Sequence, residues 1–134
     1  MDTKNDLDFI KKKLADYFKN HEEIRFSYIF GSIATKKTNK FSDIDVAIFI
    51  DFKRINVKNY RYGYQAEILT DLMQLLGTKS VDLVILNHAK SLLRHQVIYY
   101  GKLIYSISEQ ERINFQVDTI NKYMDYKFLN RKIS

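Results

Sequence analysis

The sequence predicts an α+β fold in which helices pack against a small mixed β-sheet of about four strands. Segments whose apolar residues recur every three or four positions alternate with short, nearly continuous apolar runs that are typical of strands. The order of these segments is helix, strand, strand, helix, strand, helix, strand, helix. With 134 residues, of which 14% are aromatic, the chain is expected to form one domain, residues 1–134, with a sizeable core.

The first part of the chain predicts one helix and two strands. Apolar residues at helical spacing from Leu7 to Phe18 predict the helix. The run Ile24–Phe30 predicts the first strand, which ends in Gly31-Ser32. A basic and polar loop follows, and a nearly continuous apolar run over residues 43–52 predicts a second strand that is buried on both faces.

The middle of the chain predicts two more helices and two more strands. One helix begins at about Tyr64 and ends before Gly77, a typical C-terminal cap. We expect the third strand at residues 81–86, the third helix at 88–100 and the fourth strand at 102–105.

The last helix begins at a capping box formed by Ser108 and Glu111. Its apolar residues at helical spacing are expected to face the core. They are Ile113, Val117, Ile120, Met124 and Phe128. The basic residues 127–134 are expected to fray.

The composition excludes several kinds of site. There is no Cys, which excludes disulfides and thiolate metal sites. The N-terminal residues lack the apolar core of a signal peptide, and no apolar run approaches the ~20 residues needed to span a bilayer. We therefore expect a cytoplasmic protein with no membrane partner. The net charge of +6 favours anionic partners such as nucleotides, nucleic acids or acidic protein surfaces.

The residues between the first two strands suit a metal-bound triphosphate. Gly31 allows a sharp turn and a close approach to a ligand, and Ser32 offers a hydroxyl and a backbone N–H to a phosphate oxygen. Asp43 and Asp45 are two residues apart, so their side chains leave the same face of a strand. Neighbouring carboxylates repel each other unless a cation lies between them, and Mg²⁺ prefers oxygen ligands. Alone, Gly-Ser indicates a turn and Asp-x-Asp a solvated strand end, whereas the combination is more specific.

Three further candidates each have two interpretations. Lys36, in the basic loop, either neutralises a triphosphate or belongs to a solvated surface. Ser42 either supports the nucleotide site by a hydrogen bond to Asp43 or only begins the strand. Asp82, the only charged residue of the third strand, is by itself a turn residue, but beside the strand that carries the other two carboxylates it is a natural third one.

The order strand, Gly31-Ser32, ten residues, Asp43-x-Asp45, strand resembles the Gly-Ser-x10-Asp-x-Asp signature of the DNA polymerase β-like nucleotidyltransferase superfamily. The chain is most similar to the minimal nucleotidyltransferase (MNT) family, whose best-described members are antitoxins paired with HEPN-domain toxins. The resemblance covers nearly the whole chain, including residues 81–87 and 92–105. It departs at Thr35-Lys36, where family members often have Arg-Gly.

The resemblance implies a polymerase β-like fold and transfer of AMP from ATP to a hydroxyl group, with two Mg²⁺ ions. It assigns Asp43, Asp45 and Asp82 to catalysis and metal binding, and Gly31 and Ser32 to the nucleotide. It also implies that the acceptor is a tyrosine on a partner HEPN ribonuclease toxin, and that the chain forms a stable hetero-oligomer with this toxin.

Other functions remain open at this point. The chain can be a non-catalytic antitoxin that neutralises the toxin by binding alone, which the altered Thr35-Lys36 pair would allow. Transfer to a small molecule, such as an aminoglycoside, usually needs an additional helical domain. Direct nucleic-acid binding is the weakest alternative, because it is supported by charge alone.

Overall fold

The computed structural model describes residues 7–31, 43–60 and 62–133. Its helices are α1 (Leu7–Phe18), α2 (Tyr64–Leu76), α3 (Ser91–Tyr100) and α4 (Glu109–Ile133). Its strands are β1 (Ile24–Phe30), β2 (Ile44–Ile50), β3 (Val81–Ile85) and β4 (Lys102–Ser106). Within these described ranges, no helix is both long enough and apolar enough to cross a membrane.

The four strands form one mixed sheet in the order β3-β2-β1-β4. β1 is antiparallel to both β2 and β4, and β2 is parallel to β3. The prediction of an α+β fold with a small mixed sheet is therefore confirmed. Because β2 and β3 are parallel and joined through α2, both strands begin at the same end of the sheet. The antiparallel strand β1 finishes at this end.

Helices cover both faces of the sheet. On one face, α1 and α2 pack against the alternate residues of β2 that include Val46 and Ile48. On the other face, α3 and α4 contribute Val97 and Phe115, which pack against Phe26 of β1 and other residues. We call this second face the carboxylate face, because Asp45 lies on it by strand alternation with Ala47 and Phe49 of β2.

The two ends of the sheet differ in which strands begin there. The carboxylate end is the end at which β1 finishes at Phe30 and β2 and β3 begin. The distal end is the opposite one, where β1 begins at Ile24 and β2 finishes at Ile50.

Several predicted boundaries are wrong by a few residues. The second strand does not extend over 43–52, because Asp51 accepts a hydrogen bond from the backbone N–H of Lys53 and turns the chain into a one-turn 3₁₀ helix. The third strand ends at Ile85, since Leu86 begins another 3₁₀ turn. This turn delays the start of α3 from residue 88 to Ser91. The left-handed cap predicted at Gly77 is confirmed, with φ of +68°.

The prediction for the last helix is wrong in one important respect. The capping bond from the Glu111 N–H to Ser108 Oγ forms, at 3.3 Å, and α4 is helical through Ile133 rather than frayed from residue 127. However, the apolar residues expected in the core are exposed. Their exposed fractions are 44% for Ile113, 52% for Val117, 44% for Ile120, 60% for Met124 and 57% for Phe128. Among residues 109–129, whose exposure the structure describes, Phe115 and Thr119 are the buried ones.

Candidate active site

The parallel pairing of β2 and β3 brings two of the predicted carboxylates side by side. Asp45 and Asp82 are direct register partners, so their Cα atoms lie about one strand spacing, ~4.8 Å, apart and their side chains leave the same face. Asp45 is half-buried and Asp82 is exposed. Asp43 is exposed and directly precedes β2. The structure therefore places all three carboxylates predicted from the sequence at the carboxylate end of the sheet, with Asp45 and Asp82 paired directly.

Gly31 closes one side of this group. It follows Phe30, which is the antiparallel register partner of Asp45, and its φ is +77°. A Cβ atom built on Gly31 would overlap the carboxylate oxygen Oδ2 of Asp45. Both the left-handed backbone and the close approach to Asp45 therefore require glycine at this position.

The carboxylates are electrostatically crowded. Burial raises the pKa of Asp45 above its ordinary value of 3.8, and the negative charges of Asp82 and Asp43 raise it further. All these effects disfavour the ionised form of Asp45 in the protein alone. A cation bound between these carboxylates would supply a positive charge beside Asp45 and so favour its ionised form.

The donor set fits a hard divalent cation. It consists of carboxylate oxygens, which are the ligands that Mg²⁺ prefers, and the like-charge crowding is what such a cation relieves. Across the described residues, no group of three or more His, Cys, Asp or Glu side chains is already arranged closely enough to hold a metal ion. The carboxylates therefore suit Mg²⁺ in their chemistry and placement, but they do not form a closed coordination shell.

The other predicted nucleotide contacts are Ser32, Lys36 and Ser42. These residues lie outside the described ranges, as does the departure from the family pattern at Thr35-Lys36. Their roles stay predictions.

A second polar group lies at the distal end, and the sequence analysis did not identify it. Glu23, which is 7% exposed, accepts a hydrogen bond of 2.8 Å from the Tyr64 hydroxyl and pairs with His21 Nδ1 at 3.2 Å. His21, in the turn before β1, is therefore a structural partner of Glu23. Because Glu23 and Tyr64 are 41 residues apart, no local pattern reveals their contact.

Three comparisons relate this fold and site to known proteins. The protein adenylyltransferase MntA of Aphanizomenon flos-aquae is 28% identical over 96 residues, which are 69% of this chain and 64% of that protein. The chain thus spans slightly less than two thirds of that relative. A solved toxin–antitoxin structure with AMP-PNP has a TM-score of 0.74 at 25% identity, covering 92% of this chain and 94% of that chain.

A solved complex of the tri-AMPylated Shewanella oneidensis HEPN toxin with its MNT antitoxin gives a TM-score of 0.68 at 24% identity. It covers 95% of this chain and 94% of that chain, and it shows a shared fold. The family described as Polymerase beta, Nucleotidyltransferase matches residues 12–110. This match covers most of the chain and includes β1, Gly31 and all three carboxylates, so the chain belongs to the polymerase beta nucleotidyltransferase family.

Proposed function

We propose that this chain is a Mg²⁺-dependent nucleotidyltransferase that transfers AMP from ATP to a tyrosine hydroxyl of a partner HEPN ribonuclease toxin, and so acts as its antitoxin in the cytoplasm. The observation that carries the proposal is the register pair Asp45–Asp82 beside the left-handed Gly31. This arrangement places two adjacent carboxylates at the carboxylate end of the sheet, next to the backbone of Gly31, which has no side chain.

Each residue of the site has a role in the proposed reaction. The backbone at Gly31 leaves room beside Asp45 for the triphosphate, and Ser32 would donate to a phosphate oxygen. Asp43, Asp45 and Asp82 would hold the Mg²⁺ ions. When bound, Mg²⁺ neutralises phosphate charge and lowers the pKa of a hydroxyl group. Lys36 and Ser42 are further candidates for contact with the nucleotide.

Asp82 suits the role of general base. It is more exposed than Asp45, so it can reach a hydroxyl group brought in by another protein. The hydroxyl oxygen attacks the α-phosphorus and forms a new P–O bond. The bond from this phosphorus to the bridging oxygen breaks, pyrophosphate leaves, and the hydroxyl proton passes to Asp82.

The relatives support this choice of donor and acceptor. One similar structure was solved with AMP-PNP, and one similar complex contains a tri-AMPylated HEPN toxin. The A. flos-aquae relative is named a protein adenylyltransferase. These proteins support ATP as the donor and a toxin as the acceptor here.

Intact mass spectrometry tests the proposal. The HEPN toxin that co-purifies with this chain from its native cells would be incubated with the chain, ATP and Mg²⁺. We expect the toxin to gain one or more AMP units with the wild-type chain. Asp45→Asn should slow this gain at least about 10³-fold, because it removes one of the charges that hold Mg²⁺. Circular dichroism would check that the variant is folded.

The two other outcomes are equally informative. A tightly bound toxin that gains no mass would show that the chain neutralises its partner by binding alone. Full transfer by Asp45→Asn would contradict the proposed role of the carboxylates.

A further inference from the structure

Helix α4 consists of two halves with different surroundings. In its first half, Phe115 is buried against Phe26 and Phe49, with ring centroids 5.3 and 5.1 Å away, and Thr119 is fully buried. Beyond Tyr123, which stacks on His95 at 3.6 Å, every described side chain is exposed. We call residues 123–133 the outer half of α4.

Helix α4 begins at the distal end, where Glu111 pairs with Arg25 near the start of β1, and it covers the carboxylate face. Helix α3 follows β3 from the distal end and ends at Gly101, which lies against the Ile29 carbonyl near the end of β1. Arg94 of α3 contacts Phe115 and the next residue, His95, contacts Tyr123, so α4 passes across the first half of α3. The 25 residues of α4 span about 37 Å, compared with ~23 Å for a seven-residue strand, so α4 is longer than the strands it packs against.

The outer half is apolar on more than one side. Met124 is 60% exposed, Leu129 is 56% exposed and Tyr126 is 42% exposed. At 100° per residue, Leu129 points about 140° away from Met124, and Tyr126 lies within about 60° of Leu129. A helix that is apolar around most of its circumference is normally surrounded by other elements rather than covered along one stripe.

This distribution distinguishes between two occupants. A second copy of α4, packed as a two-helix seam, would cover the stripe that runs from Ile113 through Ile120 to Met124. It would leave Tyr126 and Leu129 in water. A groove between helices of another protein would cover both sides, as in complexes where a helix inserts into an apolar groove.

The charge of the outer half indicates which residues line the rim of this groove. The outer half contains three basic residues, Lys127, Arg131 and Lys132, and one acidic residue, Asp125. Two like-charged outer halves would repel each other, whereas acidic residues at the rim of an apolar groove would attract this segment.

We infer that the outer half of α4 is a docking helix that inserts into an acidic-rimmed apolar groove of the acceptor protein. This inference rests on the proposed function, because the acceptor is the HEPN toxin. Docking on α4 would hold the acceptor on the side of the carboxylate face, from which Asp45 and Asp82 project. It would add effective concentration without any contact to the nucleotide.

Two single substitutions, one on each apolar side, test the inference. Met124→Glu and Leu129→Glu keep helix propensity while placing a charge in the groove. The control is Phe52→Glu, at a residue that is 47% exposed in the 3₁₀ turn after β2, at the distal end. Binding of each variant to the purified, co-purifying HEPN toxin would be measured by calorimetry, and AMP transfer by intact mass.

We expect both α4 variants to raise the dissociation constant by about 30-fold or more, which is the effect of losing a buried interface anchor. They should raise KM for the toxin with little change in kcat, whereas Phe52→Glu should behave like the wild type. Wild-type affinity in both α4 variants would overturn the inference. A loss in Met124→Glu alone, with a dimer-to-monomer change of the isolated chain in analytical ultracentrifugation, would instead identify a second copy as the occupant.

The two readouts separate this inference from the proposed function. If the wild-type chain binds the toxin but transfers no AMP, the proposed activity fails, and the affinities of the variants still decide where the toxin docks. If AMP is transferred normally by both α4 variants at limiting toxin, the activity stands and the docking helix is wrong.

Discussion

The two ends of the sheet treat acidic residues in opposite ways. At the distal end, the buried Glu23 has two polar side-chain partners. The Tyr64 hydroxyl donates a hydrogen bond to it, and His21 pairs with it. At the carboxylate end, Asp45 lies beside Asp82 and Asp43, which carry the same charge. Glu23 and Asp45 are both removed from solvent at least in part, so their partners, rather than burial, distinguish the two ends.

The pKa values of these residues follow their partners. Burial raises the pKa of Glu23, but the hydrogen bonds from His21, from the backbone and from Tyr64 outweigh it, so that the pKa lies below the ordinary 4.5. For Asp45, burial and both neighbouring charges act in the same direction, and the pKa lies above the ordinary 3.8. The ionised form of Glu23 stabilises the fold, whereas the ionised form of Asp45 destabilises it until a cation binds. Like-charge crowding therefore distinguishes the end with the proposed site from the distal end.

The largest effect is expected at Gly31, where backbone and carboxylate meet. Gly31→Ala would force a side chain into a left-handed conformation and against Asp45, so we expect about 2 kcal/mol lower stability and about 100-fold slower AMP transfer. Gly63→Ala is the matched control, because Gly63 also has a positive φ, +95°, but a Cβ there would meet nothing within 4 Å. It should lose about 1 kcal/mol and keep its activity, as measured by urea unfolding and intact mass.

The second effect is expected at the distal end. Glu23→Ala would leave the Tyr64 hydroxyl and His21 without their acceptor, so we expect a loss of about 2 kcal/mol in the free energy of unfolding. AMP transfer below the melting temperature should be unchanged. A variant of wild-type stability with impaired transfer would remove the distinction between a structural and a functional end.

The smallest effect is a pair of opposite changes in thermal stability, measured in EDTA. At pH 7, Glu23→Gln should melt lower than the wild type by several degrees, and Asp45→Asn should melt higher by ~2 °C. The Asp45 difference should shrink as the pH falls through the raised pKa towards 3.8, because the wild-type carboxylate becomes neutral. The Glu23 difference should persist until the pH falls below 4.5, because its pKa is lowered. Differences of the same sign at pH 7 would refute the comparison.

The sequence was sufficient for those parts of the fold and site that depend on local pattern. The helix Leu7–Phe18 and the strand Ile24–Phe30 were predicted with their boundaries, because periodicity, turn residues and composition agree there. The sequence indicated that Asp82 lies beside the strand of Asp45, whereas their direct pairing also depends on the register of β2 and β3. Ser32, Lys36 and Ser42 lie outside the described residues and stay predictions.

The failures have physical reasons. Helix α4 carries two apolar sides, and periodicity alone selected the longer stripe, from Ile113 to Phe128, although Phe115 and Thr119 are the buried ones. Only the position of α3 and the sheet decides which side is covered. The Glu23–Tyr64 contact joins distant parts of the chain, so neither residue appears special in its own segment.

The register of β3 has a consequence for how this protein can change during evolution. The connection after α2 is short, and the backbone N–H of Ile44 donates to the Ser80 carbonyl at 2.8 Å, which fixes where β3 starts beside β2. A slip of one residue would turn Asp82 to the opposite face of the sheet. A deletion among residues 78–80 that shifted β3 by one residue would therefore carry Asp82 away from Asp45 and turn Val81 and Leu83 out of the core.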